Sequence, residues 1–321
     1  MLTVSETAAL LRSFDNILLL THMRPDGDTV GCAAGLCAAL RQIGKTAYLL
    51  PNPGLTDTTR PYALPYHAPE DFVPDYVVST DIATLKLLPD NAQVYADRID
   101  LAMDHHPSFE EFGKQNIVRP TAAACAELIF DIARELGDLT PEVALPLYVG
   151  LSTDTGCFAY GNTTAETHRV AAALIDTGID FQAVNKVFFR TKSRVRMQLE
   201  AAMFSAAEFY DHNRVAVLSV PQSLLAKFHA TETDAEDLSA LGAMIQGCDC
   251  AITMRQLKEN VWKLSLRTGP RVNATKVCGL LGGGGHAAAA GCTLELPYEE
   301  AKSKVLEAVG QMVPDFDPSR S

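Results

Sequence analysis

The chain has 321 residues, 47% hydrophobic and 21% charged, with a formal net charge of -12. That length and composition predict about two globular domains with cores of their own. No stretch approaches the ~18 apolar residues of a membrane span, no basic flank and apolar core marks a leader, and no basic stripe is present to neutralise the phosphates of long nucleic acid. The expectations are a cytoplasmic protein with no membrane partner and no long-duplex partner. A nucleic-acid ligand, if there is one, is short.

The first ~185 residues alternate strand and helix patterns. Strands are predicted at Asn16–Thr21, Ala47–Leu50, Tyr76–Thr80, Ile99–Met103 and Asn116–Val118. Helices are predicted over Thr29–Ile43, stopped by Gly44, over Ala122–Leu136, and from Pro141, a residue suited to the first helical position. Thr164–Thr177 and Asp180–Phe189 read as two more. This order implies an α/β domain with a mostly parallel sheet and helices on both faces. Arg190–Tyr210 reads as one long connecting helix, with Arg190, Lys192, Arg194 and Arg196 as a solvated face or a basic wall.

The pattern then changes to a smaller α+β, mixed-sheet domain. It comprises a strand at Val215–Val220, a helix at Asp234–Gly247 and a hairpin of Ala251–Leu257 with Val261–Arg267 turning at Glu259-Asn260. A helix Asn273–Leu281 capped by Asn273, a strand Cys292–Leu296 and a helix Tyr298–Val313 complete it. The predicted division is 1–186, a connection at 187–211, and 212–321, with the active site in the cleft between the domains. The eight cysteines include no C-x-x-C pair and are read as reduced, buried small hydrophobes.

Four clusters carry chemistry. They are His22-Met23-Arg24-Pro25-Asp26-Gly27-Asp28, Asp81, Asp104-His105-His106, and Asp154. A lone aspartate after a strand is usually a cap or turn residue, but three of these clusters close predicted parallel strands, where ligands bind in open α/β sheets. Carboxylates gathered at one place repel unless a cation joins them. Asp26, Asp28, Asp81 and Asp154 would balance two divalent ions, with His22 and His105 as neutral ligands. An oxygen and nitrogen shell without thiolate favours Mn²⁺, with Mg²⁺ or Co²⁺ as alternatives. Gly27 is read as a tight turn that lets Asp26 and Asp28 face different ions.

In order, His22-x-x-x-Asp26-x-Asp28, Asp81, Asp104-His105-His106 and Asp154 resemble the four motifs of the DHH phosphoesterase family. The later run Gly282-Gly-Gly-Gly-His286-x-x-Ala-Ala-Ala-Gly291 resembles the signature of its DHHA1 partner domain. Chain length and domain pairing are similar to the oligoribonuclease and pAp phosphatase branch. The resemblance implies that His22, Asp26 and Asp81 hold one ion, and that Asp28, Asp81, His105 and Asp154 hold the other. It implies Asp104 as a group orienting a histidine and His106 as the residue meeting the scissile phosphate or leaving oxygen. Gly283, Gly284, Gly285, His286 and Arg267 become the substrate-binding candidates, through loop amides, an imidazole and a phosphate-clamping guanidinium. The implied activity is hydrolysis of short RNA to 5′-mononucleotides, or of 3′-phosphoadenosine 5′-phosphate (pAp) to AMP and phosphate. Cleavage of cyclic or linear signalling dinucleotides and a non-catalytic nucleotide sensor are the alternatives. The reading admits a homodimer.

Overall fold

A computed structural model describes residues 1–231, 233–235, 238–313 and 315–319, and the chain divides into two compact units, Met1–Thr191 and Lys192–Ser321. The first unit opens with helix α1 (Val4–Ser13), which the sequence reading missed and which Thr3 and Glu6 start with a capping box. Strand β1 (Ile17–Leu20) is buried throughout and leads through His22–Asp26 into α2 (Gly27–Gln42). Strand β2 (Ala47–Leu49), short helix α3 (Arg60–Ala63), β3 (Tyr76–Thr80), β4 (Ile99–Asp104) and β5 (Gln115–Val118) follow. Helices α4 (Cys125–Leu136), α5 (Pro141–Asp154), α6 (Ala165–Asp176) and α7 (Phe181–Phe189) close the unit.

All five strands run parallel in the order β2-β1-β3-β4-β5. Ile17, Leu19, Val78 and Leu101 point to one face and pack with residues of α1, α2, α4 and α5. Leu18, Leu20, Val77 and Ala102 point to the other, covered by Ile82, Leu88 and Ala92 of short 3₁₀ and loop segments. Because successive strands leave β1 on opposite sides, the chain switches direction between β1 and β3. A crevice outside the carboxyl ends of these two strands follows from that topology.

Helices α2 and α5 approach closely because α2 presents glycine at every fourth position. A methyl group at Gly31 would lie 2.2 Å from the Pro146 carbonyl oxygen, and one at Gly35 would lie 2.7 Å from the Leu147 side chain. Gly27 belongs to the same row: its absent Cβ would fall 2.2 Å from Thr153 Oγ1. It is the first residue of α2 and no turn glycine, so its reading as a turn-maker is corrected to one of close packing.

The second unit starts within the stretch read as one helix over Arg190–Tyr210. Arg190 ends α7, Ser193 caps a new helix α8 (Arg194–Ser205), and Glu208–Tyr210 is an edge strand, β6. Lys192 and Arg196 both pair with Glu200, at 2.6 and 2.7 Å, so two of the four basic residues share one local carboxylate. Strands β7 (Val215–Val220), β8 (Cys250–Lys258) and β9 (Val261–Thr268), with helix α9 (Gln222–Phe228), come next. The expected helix Asp234–Gly247 is broken into Thr233–Ala235, α10 (Leu238–Leu241) and Gly242–Met244, while its Glu236 and Asp237 lie outside the described residues.

Helix α11 (Ala274–Leu280), β10 (Gly284–His286), β11 (Ala289–Glu295) and α12 (Tyr298–Gly310) complete the unit. The six-stranded mixed sheet runs β10-β11-β9-β8-β7-β6. Val217, Ile252, Leu264, Val277 and Val305 form its main core, and Met203, Leu218 and Leu238 a second one. All eight cysteines are free thiols, and Cys157 and Cys248 are only half-buried. No described helix is long and apolar enough to cross a membrane.

Candidate metal centre

The site residues of the first unit converge where the topology places a crevice. Asp26 is the N-cap of α2, its Oδ1 accepting from the amides of Asp28 and Thr29 at 3.0 and 3.1 Å. Thr29 Oγ1 donates to the Thr80 carbonyl at 2.8 Å, which ties the first turn of α2 to the end of β3. Asp81 follows with φ of 58°, a left-handed turn held by its N–H donating to the Met103 carbonyl at 2.8 Å. Asp154, the last residue of α5, is brought in by the glycine row.

The resulting distances sort the donors. His22 Nε2 lies 3.6 Å from Asp26 Oδ1 and 3.9 Å from Asp81 Oδ2. His105 Nε2 lies 3.4 Å from Asp154 Oδ2, 3.5 Å from Asp81 Oδ1 and 3.9 Å from Asp28 Oδ2. The two oxygens of Asp81 therefore face different groups. Donor atoms of His22, Asp26 and Asp81 lie within 4.8 Å of one another, as do those of Asp28, His105 and Asp154.

Burial and like charge act on the same carboxyls. Asp28 and Asp81 are 1% and 3% exposed. Burial first, and neighbouring aspartates second, push both carboxyls well above the usual carboxylate range. Burial also raises Asp154, against the pull of His105. Asp81 Oδ1 is buried with no hydrogen-bond partner. A carboxylate oxygen left so at the meeting point of four aspartates and two imidazoles fits divalent cations, which would supply the missing countercharge.

The other members of the site are fixed by neighbours. Nδ1 of His105 lies 3.2 Å from the Ala122 carbonyl, and as its donor leaves Nε2 with a free lone pair. Asp104 is fully buried at the end of β4 and its Oδ1 accepts from His106 Nδ1 at 2.7 Å and from the backbone amides of His105 and His106. Thus Asp104 orients His106. That hydrogen bond first, and the Asp104 charge with it, raises the His106 pKa against burial.

Sequence reasoning missed Asn52, which is buried beside the His22 loop. Its Nδ2 donates to Thr21 Oγ1 and to the His22 carbonyl at 2.9 and 2.8 Å, and its Oδ1 accepts from the Gly54 amide. Asn52-Pro53-Gly54 reads as an ordinary turn, so no local signal marks it. Gly150 was missed too: its bare Cα leaves room for Asp28, since a Cβ there would stand 2.7 Å from Asp28 Oδ1.

In the second unit, Arg267, Ala289 and His286 are paired in one cross-strand row over β9, β11 and β10. Residues directly opposite one another project from the same sheet face, so the guanidinium and imidazole share a face with only a methyl between them. Arg267 Nη1 donates to the Leu266 carbonyl at 3.1 Å, and His286 is exposed. The glycine run differs from the expected loop. Gly283 N–H donates to the Cys278 carbonyl at 2.8 Å, and Gly284–His286 form the edge strand β10. The Gly283 amide is therefore engaged internally and is not aimed at an anion.

Comparison with known proteins follows this division. A family model described as "DHH family, N-terminal domain" matches residues 16–151, and one described as "DHHA1 domain" matches residues 214–314. A curated relative from Thermus thermophilus, named bifunctional oligoribonuclease and PAP phosphatase NrnA, is 33% identical over 91% of this chain and 89% of its own length. The protein of the same name from Bacillus subtilis is 25% identical over 90% of this chain and 93% of its own. The fold is that of the crystal structure of an exopolyphosphatase-related protein from Bacteroides fragilis, with a TM-score of 0.84, 24% identity and coverage of 96% and 95% of the two chains.

Proposed function

The chain belongs to the DHH phosphoesterase family, and on that premise we propose that it hydrolyses short oligoribonucleotides to 5′-mononucleotides and pAp to AMP and phosphate, using two divalent metal ions. The observation that carries this reading is Asp81, whose two oxygens face the His22–Asp26 and His105–Asp154 groups and whose Oδ1 has no protein partner. The similarity to the Thermus NrnA protein over nearly the whole chain supports the substrate class.

His22, Asp26 and Asp81 would hold one ion, and Asp28, Asp81, His105 and Asp154 the other. The mixed imidazole and carboxylate set suits Mn²⁺. Bound ions of this kind activate water and offset charge on a phosphate. Protein groups do the rest. Asp104 accepts a hydrogen bond from His106 Nδ1–H, which leaves Nε2 of the half-exposed imidazole to face the substrate. Its raised pKa keeps a proton available for the phosphate or the leaving oxygen. Arg267 and His286, side by side on their sheet face, would bind a substrate phosphate, the guanidinium in bidentate fashion.

The test is hydrolysis of RNAs of graded length and of pAp by the full chain with Mn²⁺ and with chelator. Metal-dependent release of mononucleotides from the shortest RNAs, and of phosphate from pAp, is expected. Preferential cleavage of long RNA or of a cyclic dinucleotide would overturn the substrate assignment.

A further inference from the structure

Asp28 is held from behind by three donors that belong to two helices. Its Oδ2 accepts from the Cys125 amide at 2.6 Å and lies 3.9 Å from His105 Nε2, so this oxygen faces the proposed ions. Its Oδ1 accepts from the Ala126 amide at 3.0 Å and from the Cys32 thiol at 3.3 Å. Oδ1 is further confined by the bare Cα of Gly150. The two amides are free donors at the start of α4, whose own N-cap residue, Ala124, has no side chain able to take them. They fix where the carboxylate sits. Because each oxygen takes one amide, they also set its plane, and a third donor on Oδ1 steadies that arrangement.

Cys32 is the remaining contact. It stands one helical turn after Asp28 on α2, the spacing at which side chains meet on one face. It is fully buried, as Asp28 is. A thiol is a weak donor, but beside a carboxylate with 1% exposure it is, among the described residues, the one side chain that donates to Oδ1. Cys32 is outside the groups of donors close enough to share an ion, so its role is to orient a ligand.

We infer that Cys32 is a positioning residue that steadies Asp28 through Oδ1, with Oδ2 presented to metal. The inference rests on the metal reading of the site. Partners behind a metal ligand typically contribute at least tenfold in affinity.

Metal-free full-length wild type, Cys32→Ala and Cys32→Ser are titrated with Mn²⁺ alone by calorimetry, without substrate. Cys32→Ala is expected to weaken binding at one of two sites by about tenfold. Cys32→Ser, which restores a donor of similar reach, should bind nearly as wild type does. Wild-type affinity in Cys32→Ala, or equal losses in both variants, would sink the inference. A second measurement does not depend on how Cys32→Ala folds. The infrared S–H band present in wild type and missing from Cys32→Ser should shift when Mn²⁺ is added, and an unmoved band would count against it. A wild type that binds no Mn²⁺ overturns the metal reading and this inference with it, whereas binding that is normal but indifferent to Cys32 overturns the inference alone.

Discussion

Asp104 hydrogen-bonds His106 through Nδ1 at 2.7 Å, while His105, its neighbour in sequence, turns its Nδ1 to the Ala122 carbonyl instead. Two adjacent histidines are thereby given different partners. The pairing also sets the sign of a pH effect. Asp104 raises the His106 pKa, so the proton stays on the ring to higher pH than in a free imidazole. If His106 acts as an acid, activity falls as pH rises through that pKa. Asp104→Asn should lower kcat about a hundredfold and move this falling limb of the pH–rate profile to lower pH. An unmoved limb would detach His106 from proton donation.

Removal of metal should be felt as stability. Buried like charges at Asp28 and Asp81 oppose folding when no cation is present, so the thermal midpoint should fall in chelator and recover with Mn²⁺. Asp81→Asn separates stability from function. It should make the metal-free protein more stable, by about 1 kcal/mol, because a buried unpartnered carboxylate is removed. It should also abolish hydrolysis. Near-normal turnover in Asp81→Asn would show that the residue does not bridge.

The glycine row makes a prediction far from any ligand. In Gly31→Ala the new methyl would meet the Pro146 carbonyl oxygen at 2.2 Å, so α5 must move away from α2. The expected cost is about 1–3 kcal/mol of stability. Because α5 carries Asp154 at its end, Mn²⁺ affinity should drop as well. Thermal denaturation and metal titration of the same variant check both.

The face shared by Arg267 and His286 is tested by steady-state kinetics. His286→Ala should raise KM about tenfold with little change in kcat, the loss expected for one hydrogen bond to a charged group. Arg267→Ala should do the same and be felt more strongly, since a guanidinium makes two such bonds. A fall in kcat at constant KM would place either residue in the chemistry.

Much of this protein was legible before any coordinates. The parallel strands announce themselves as buried apolar runs, and aspartates and histidines at their ends stand out because such groups are costly to gather without a cation. The candidate ligands and the succession of strands and helices along the first unit are read from that pattern. What tertiary structure decided is each contact made through space between distant segments. Asp28 meets the Cys125 amide across 97 positions of sequence, Gly27 answers to Thr153 and not to a turn, and Asp104 chooses His106 over His105. The glycine run became an edge strand because β11 lay beside it. Local patterns encode which face is buried and where a strand ends. Which side chain then stands within 3 Å of which depends on how helices and strands pack, and no spacing along the chain specifies that.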